Sequence, residues 1–295
     1  MRTSLEVLLI LYMHAFLSGR THYGYLWIFL RMQQRRRLSL LAKFKKSPKG
    51  IILFEDNQLL VLNKPPGVPI NGDISGDDNL LDTAKQYLVM AKSKPGAAFL
   101  GLVHRLDRAV SGTVVFGKTS KCSARLSESF RNRQVHKKYV CVVEGLMPEA
   151  AALCEDTLLI KEGNNTRCVS SDTPGGQFAS LQYRAVSVPQ AKCSVLEVLL
   201  LTGRKHQIRA QLAHRGHPIV GDVKYGSRSK PYRMGFIALH SASLTFHHPT
   251  TRRQVSFIST PPASWTNELD GNVMKEVHRS IDRLRSAPLL NCAST

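Results

Sequence analysis

Between Gly101 and Lys118 the chain reads GLVHRLDRAVSGTVVFGK, and within it Asp107 is a lone acid among His104, Arg105 and Arg108. Burial alone discourages a carboxylate from ionising, and a neighbouring guanidinium restores its charge. A bidentate arginine also fixes the direction in which the carboxylate points. An ionised carboxylate held in this way can attack as a nucleophile or take a proton as a general base. Two later stretches hold further groups of interest: KKYVCVVEG (Lys137–Gly145), which carries Tyr139, and LTGRKHQIRAQLAHRGHPIVGDVKYG (Leu201–Gly226), which carries Arg209.

The chain has 295 residues and a net charge of +20. Residues 1–50 hold ten Lys/Arg against the single acid Glu6, and the remaining 245 hold 31 basic against 20 acidic groups. The body is therefore basic in its own right, and an excess of this size points to an anionic partner, nucleic acid ahead of membrane. Six cysteines are present without a CxxC pair, which disfavours a zinc or redox motif and suits a reducing compartment. His214 and His217 have no partner at metal-ligand spacing. There is no P-loop and no GxGxxG.

The elements that must position these groups read as α+β. Ile51–Phe54 and Leu59–Asn63 form a hairpin around EDNQ, ended by Lys64-Pro65-Pro66-Gly67. Leu80–Lys92 reads as a helix presenting Leu81, Ala84, Leu88 and Ala91, and helices follow over Lys121–Arg131 and Lys205–Arg215. Strands are expected from Ser111, over Lys137–Gly145, Ser194–Leu201, His240–Phe246 and Gln254–Ser259. Strands outnumber helices and short turns join them, which favours a mostly antiparallel or mixed sheet. The catalytic body is placed at 49–266, between an N-terminal extension (1–48) and a polar C-terminal tail (267–295) with a short helix over Val273–Leu284.

Five segments in order, LNKPPG, HRLDR with SGTVVFGKT, KKYVCVVEG, GRKHQIR with its sequel, and ALHSASLTFHHP (Ala238–Pro249), resemble the RluA-type pseudouridine synthases over residues 51–262. The resemblance implies a central, mostly antiparallel mixed sheet in two halves with a catalytic cleft between them. It implies isomerisation of uridine to pseudouridine within structured RNA, ribosomal RNA ahead of transfer and messenger RNA, with no cofactor and no metal. Asp107 matches the essential aspartate, Tyr139 the tyrosine beneath the target base, and Arg209 the arginine that pairs with the aspartate. Arg105 matches the residue that enters the space left by the flipped nucleotide. RNA contacts are expected from Arg105, Arg108 and Lys64. His104, His206 and Gln207 are read as structural braces. Gly176–Ser187 matches the family's threonine-rich strand only loosely, and the first 50 residues do not read as the S4-type module of many relatives.

Two rival readings stand beside this one. The chain could be a non-catalytic RNA-binding or assembly factor that keeps the synthase fold. The likeness of HRLD to a kinase catalytic loop prompts a phosphotransferase reading, which lacks a glycine-rich nucleotide loop and a DFG. Apolar runs at Val7–Leu17 and Tyr25–Leu30 are interrupted by Arg20 and His22, so stable membrane insertion is not expected. With RNA as the implied partner, DNA binding is not expected. The basic extension favours an organellar, mitochondrial-type presequence over a cytoplasmic or nuclear location.

Overall fold

The Leu59–Lys64 strand, LLVLNK, is buried at five of its six positions, as a near-continuous apolar run requires when both faces of a strand are covered. It is β2, paired antiparallel with β1 (Ile52–Glu55) on one side and with β4 (Ser111–Gly117) on the other. Asp56 accepts the backbone N–H groups of Gln58 and Leu59 at 2.7 and 2.6 Å and closes the β1–β2 turn. The short strand β3 (Gly101–Leu102) pairs with the far end of β4. The computed structural model describes residues 50–72, 78–92, 97–148, 150–161, 165–229 and 236–286. The N-terminal extension, on which the presequence reading rests, lies outside the described residues.

The second half of the sheet is built on β5 (His136–Glu144), flanked by β9 (Cys193–Leu200) and β10 (Leu239–His247). Outward from β9 follow β8 (Gln177–Val188), β6 (Ala151–Lys161) and β7 (Asn165–Val169), and β11 (Gln254–Ile258) pairs with β10. The two halves meet where β4 and β10 run parallel through Ser111–His240 and Gly112–Ser241. Every other strand pair among the described residues is antiparallel, so the sheet is mixed. Gly112 makes this seam possible: it sits at φ +121, and a Cβ there would stand 2.3 Å from the Ser241 carbonyl oxygen.

Five helices among the described residues cover the sheet: α1 (Leu80–Lys92), α2 (Ser120–Arg131), α3 (Gln207–His214), α4 (Ser264–Glu268) and α5 (Gly271–Ser286). Thr119 caps α2 by accepting the Cys122 N–H at 3.1 Å. The buried face of α1 is Leu80, Ala84 and Leu88, turned from the expected one, and Ala91 is exposed. The C-terminal region is also corrected. Val273, Met274, Val277 and Ile281 of α5 enter the main core, and Arg283 donates to Glu197 of β9 at 2.6 Å. Residues 271–286 therefore belong to the folded body and not to a polar tail. Three strands escaped the sequence reading: the two-residue β3, and β6 and β7, whose alternation is broken by polar residues on a partly wet edge. No helix among the described residues is long and apolar enough to cross a membrane.

Candidate active site

Asp107 lies in the loop that leads into β4, between the buried side chains of Leu106 and Val110, and its carbonyl accepts the Val110 N–H at 3.0 Å. Its carboxylate keeps 29% of its exposure, which leaves it reachable from the cleft. Arg209 stands on α3, a helix buried from Gln207 to Leu212. A buried guanidinium must have its donors satisfied. Arg209 Nη1 donates to Asp107 Oδ2 at 2.9 Å, while Nε and Nη2 donate to the two oxygens of Asp222 at 2.6 and 2.9 Å. Burial opposes the charge on Arg209, but the hydrogen bonds and charges of Asp222 and Asp107 outweigh it and raise its pKa. Tyr225 completes the setting, with its ring 4.8 Å from the Arg209 Cζ.

Asp222 and Tyr225 were missed in the sequence. The signal existed: Asp222 is the only acid between Leu201 and Gly226, and a buried arginine with a two-edged fork calls for a second carboxylate. Gly221 lets this segment pass the backbone at Phe236, since a Cβ there would stand 2.8 Å from the Phe236 oxygen at φ +85.

The braces are arranged around α3. Gln207 accepts from the Thr202 hydroxyl at 2.8 Å and the Arg204 N–H at 3.0 Å, and donates to the Ser180 carbonyl at 3.1 Å. His206 turns the chain into the helix at φ +52 and shares a 2.8 Å hydrogen bond with the Tyr225 hydroxyl. Its Nε2 stands 3.6 Å from Asp107 Oδ2. Burial pushes the His206 ring down to about 4, against the pull of Asp107, so the ring is neutral near pH 7. His104 stacks on Phe130 with ring centroids 4.6 Å apart and accepts the Val115 N–H at 3.0 Å. It too is a brace.

Asp107, Tyr139 and Arg209 all line one cleft of about 700 Å³. Tyr139 comes from the middle of β5, opposite Val198 and Ser241, and is 7% exposed. Burial raises its hydroxyl pKa and the charge of Asp107 adds to the rise, although a hydrogen bond with Ser241 works the other way. The hydroxyl is therefore neutral at physiological pH. The charged part of the remaining lining is cationic: Arg105, Arg131, Arg133, Lys137, Arg204 and Lys205 face the cleft beside apolar side chains such as Leu106, Val110 and Phe130, and among the described residues Asp107 is its one acid. Arg105 is exposed, as a group that meets a partner must be. Arg108 is exposed outside the lining, and its Nε donates to the Gly67 carbonyl at 3.0 Å.

Lys64 does not lie where an RNA contact requires. It is fully buried, and its ammonium donates to the carbonyls of Pro65, Val68 and Arg108 at 3.0, 2.8 and 3.1 Å. It ties the Pro-Pro-Gly turn to the loop carrying Asp107. Burial pushes its pKa down to about 7, despite the opposing charge of Asp107. The sheet also brings His214 beside Asp156 and Cys168, with donor atoms within 4.8 Å of one another. Asp156 there already receives Arg215 at 2.8 Å and Gln211 at 2.7 Å, a charge arrangement that opposes a cation.

The RNA pseudouridylate synthase family model matches residues 58–214. Ribosomal large subunit pseudouridine synthase D of Zymomonas mobilis is 33% identical over 220 residues, covering 72% of this chain and 69% of its own length. Ribosomal large subunit pseudouridine synthase C of Buchnera aphidicola subsp. Baizongia pistaciae is 28% identical over 244 residues, covering 81% and 75%. Among solved structures, human RNA pseudouridylate synthase domain containing 4 superposes with a TM-score of 0.59 at 24% identity, covering 83% of this chain and 96% of that one. At that identity the superposition speaks for the fold alone.

Proposed function

Because the chain belongs to the RluA-type RNA pseudouridine synthases, enzymes that isomerise uridine to pseudouridine, we propose that Asp107 is the residue through which it does so, on ribosomal RNA. The observation that carries this reading is the Asp107–Arg209 pair, held at 2.9 Å in a cleft whose other charged side chains are cations. The isomerisation breaks the bond from N1 of uracil to C1′, turns the ring, joins C5 to C1′ and moves the C5 proton away as N1 gains one. An ionised Asp107 can open it by attack at C1′ or by removing the C2′ proton. No electrons are exchanged with a second reactant.

Uracil in structured RNA must first leave its stack, at a cost of a few kcal/mol. Stacking on an aromatic ring offsets about 1–3 kcal/mol of this, and Tyr139 supplies the ring beside Asp107. Because its hydroxyl is neutral and tied to Ser241, it is suited to relay the C5 proton and not to act as a standing phenolate base. In this reading Arg105 fills the vacated stack, a role its exposure at the cleft supports. The printed names of the ribosomal large subunit relatives support ribosomal RNA as substrate. The basic N-terminal extension supports an organellar location.

Pseudouridine mapping of total and organellar RNA, in cells lacking the protein and in cells rescued by wild type or Asp107→Asn, tests the whole reading. Sites lost on deletion and restored only by wild type support it and name the uridine. Equal rescue of growth by both versions, with no site lost, replaces it with the non-catalytic assembly factor.

A further inference from the structure

Lys137 precedes Tyr139 by two residues on β5, so the two side chains leave the same face of the strand, about 7 Å apart along it. Both line the cleft. The ammonium of Lys137 hangs over the Thr202–Arg204 loop, where a Cβ on Gly203 would lie 3.5 Å from Nζ. Neither a carboxylate at ion-pair distance nor a hydrogen-bond acceptor meets it among the described residues.

The surroundings make that isolation costly. Burial pushes the Lys137 ammonium down to about 8, and the charge of Arg133 pushes in the same direction. Arg133 itself occupies the turn between α2 and β5 at φ +57, a conformation that side chains other than glycine seldom adopt. Asp107, the acid of the cleft, is paired with Arg209. A partly desolvated cation, a like charge beside it and a strained backbone are three costs at one place. An anion entering the cleft would relieve the first two.

Given the reading of the cleft as an RNA synthase site, we propose that Lys137 and Arg133 form a binding site for one backbone phosphate of the flipped nucleotide. Tyr139 meets the base, and Lys137, one step along the same strand, meets the backbone that carries it. This assigns the α2–β5 turn to holding the extruded nucleotide in register over Asp107.

The test is binding of fluorescein-labelled dodecauridylate, followed by anisotropy over a salt series at pH 7. For single strands each neutralised phosphate contributes about 0.7 to the slope of log affinity against log salt. Lys137→Met is expected to reduce the slope by about that amount and to weaken binding on the order of tenfold, a hydrogen bond to a charged group being lost. Lys137→Arg restores both. Thermal melting separates this from a structural role. Lys137→Met and Arg133→Gly should melt no lower than wild type, since they remove an unmatched charge and a strained side chain. A lower melting temperature with unchanged slope and affinity overturns the phosphate site while leaving the synthase reading intact. Absence of salt-dependent binding by the wild-type protein also overturns the phosphate site, whereas the synthase reading stands or falls on the pseudouridine mapping.

Discussion

Asp222 takes both oxygens to one edge of the Arg209 guanidinium, at 2.6 and 2.9 Å, and so determines which nitrogen is left to meet Asp107. Asp222 is 1% exposed in its side chain and touches the cleft only through Arg209. It is a positioning residue. A guanidinium held at one edge cannot swing, and its Nη1 is presented to Asp107 in a single direction.

Replacing Asp222 by Asn keeps the volume and one acceptor but lets the fork rotate. The expected result is a fall in kcat on the order of 10²-fold with KM for RNA little changed, since a misplacement of about 1 Å has that effect. Asp222→Ala should instead lower stability by about 3–5 kcal/mol, because Arg209 is left buried with one partner missing. Steady-state kinetics with denaturant melts distinguish the two; equal kcat in Asp222→Asn and wild type would remove Asp222 from the mechanism.

Tyr139→Phe tests the hydroxyl apart from the ring. The ring remains to stack on the base, and the hydrogen bond with Ser241 is lost at about 1 kcal/mol of stability. Turnover should fall while RNA affinity holds. Tyr139→Ala should lower stability by about 3–5 kcal/mol, as an aromatic removed from a packed position does, and lose affinity as well. Full turnover by Tyr139→Phe would leave the ring as the whole of the residue's contribution.

The buried Lys64 predicts an alkaline trend. Its folded pKa, about 7, lies below its unfolded value near 10.5, so between those limits the unfolded chain binds more protons. Stability should therefore rise with pH through that window, and Lys137, pushed down to about 8, adds in the same direction. Lys64→Met should flatten the slope measured by urea titration between pH 7 and 9. It should also lower stability at pH 7, because the carbonyls of Pro65, Val68 and Arg108 lose their donor. An unchanged slope would show that Lys64 is not the group that titrates.

The acid side is governed by buried histidines. Burial pushes His104 and His240 down to about 3 and His206 to about 4, each below the ordinary 6.5. The unfolded chain takes up protons first, so stability should fall as pH drops through about 6.5 toward 4. His104→Phe should melt lower than wild type at pH 7, because the Val115 N–H loses its acceptor, yet drop less between pH 7 and 4.5. A drop as large as wild type would assign the acid sensitivity elsewhere.

Local pattern accounts for what was legible in the chain. The apolar run Leu59–Leu62, the alternation through Tyr139 and the helical spacing before Arg209 depend on neighbours in sequence, and each produced its element. The resemblance carried by HRLDR, KKYVC and GRKHQIR implied that Asp107, Tyr139 and Arg209 share one cleft, and all three line it. The tertiary structure decided what depends on distant partners. Asp107 and Arg209 are 102 residues apart, and their contact exists because β4 and β10 join two half-sheets across a seam two residue pairs long. Lys64 reads in sequence like a surface cation at a turn, and only the return of the Arg108 carbonyl, 44 residues on, encloses it. Asp222 reads as one acid in a glycine-rich loop until a helix buried from Gln207 to Leu212 presents it with an arginine. Charge and periodicity are written locally, whereas burial is a property of the whole chain, and burial is what made these side chains partners.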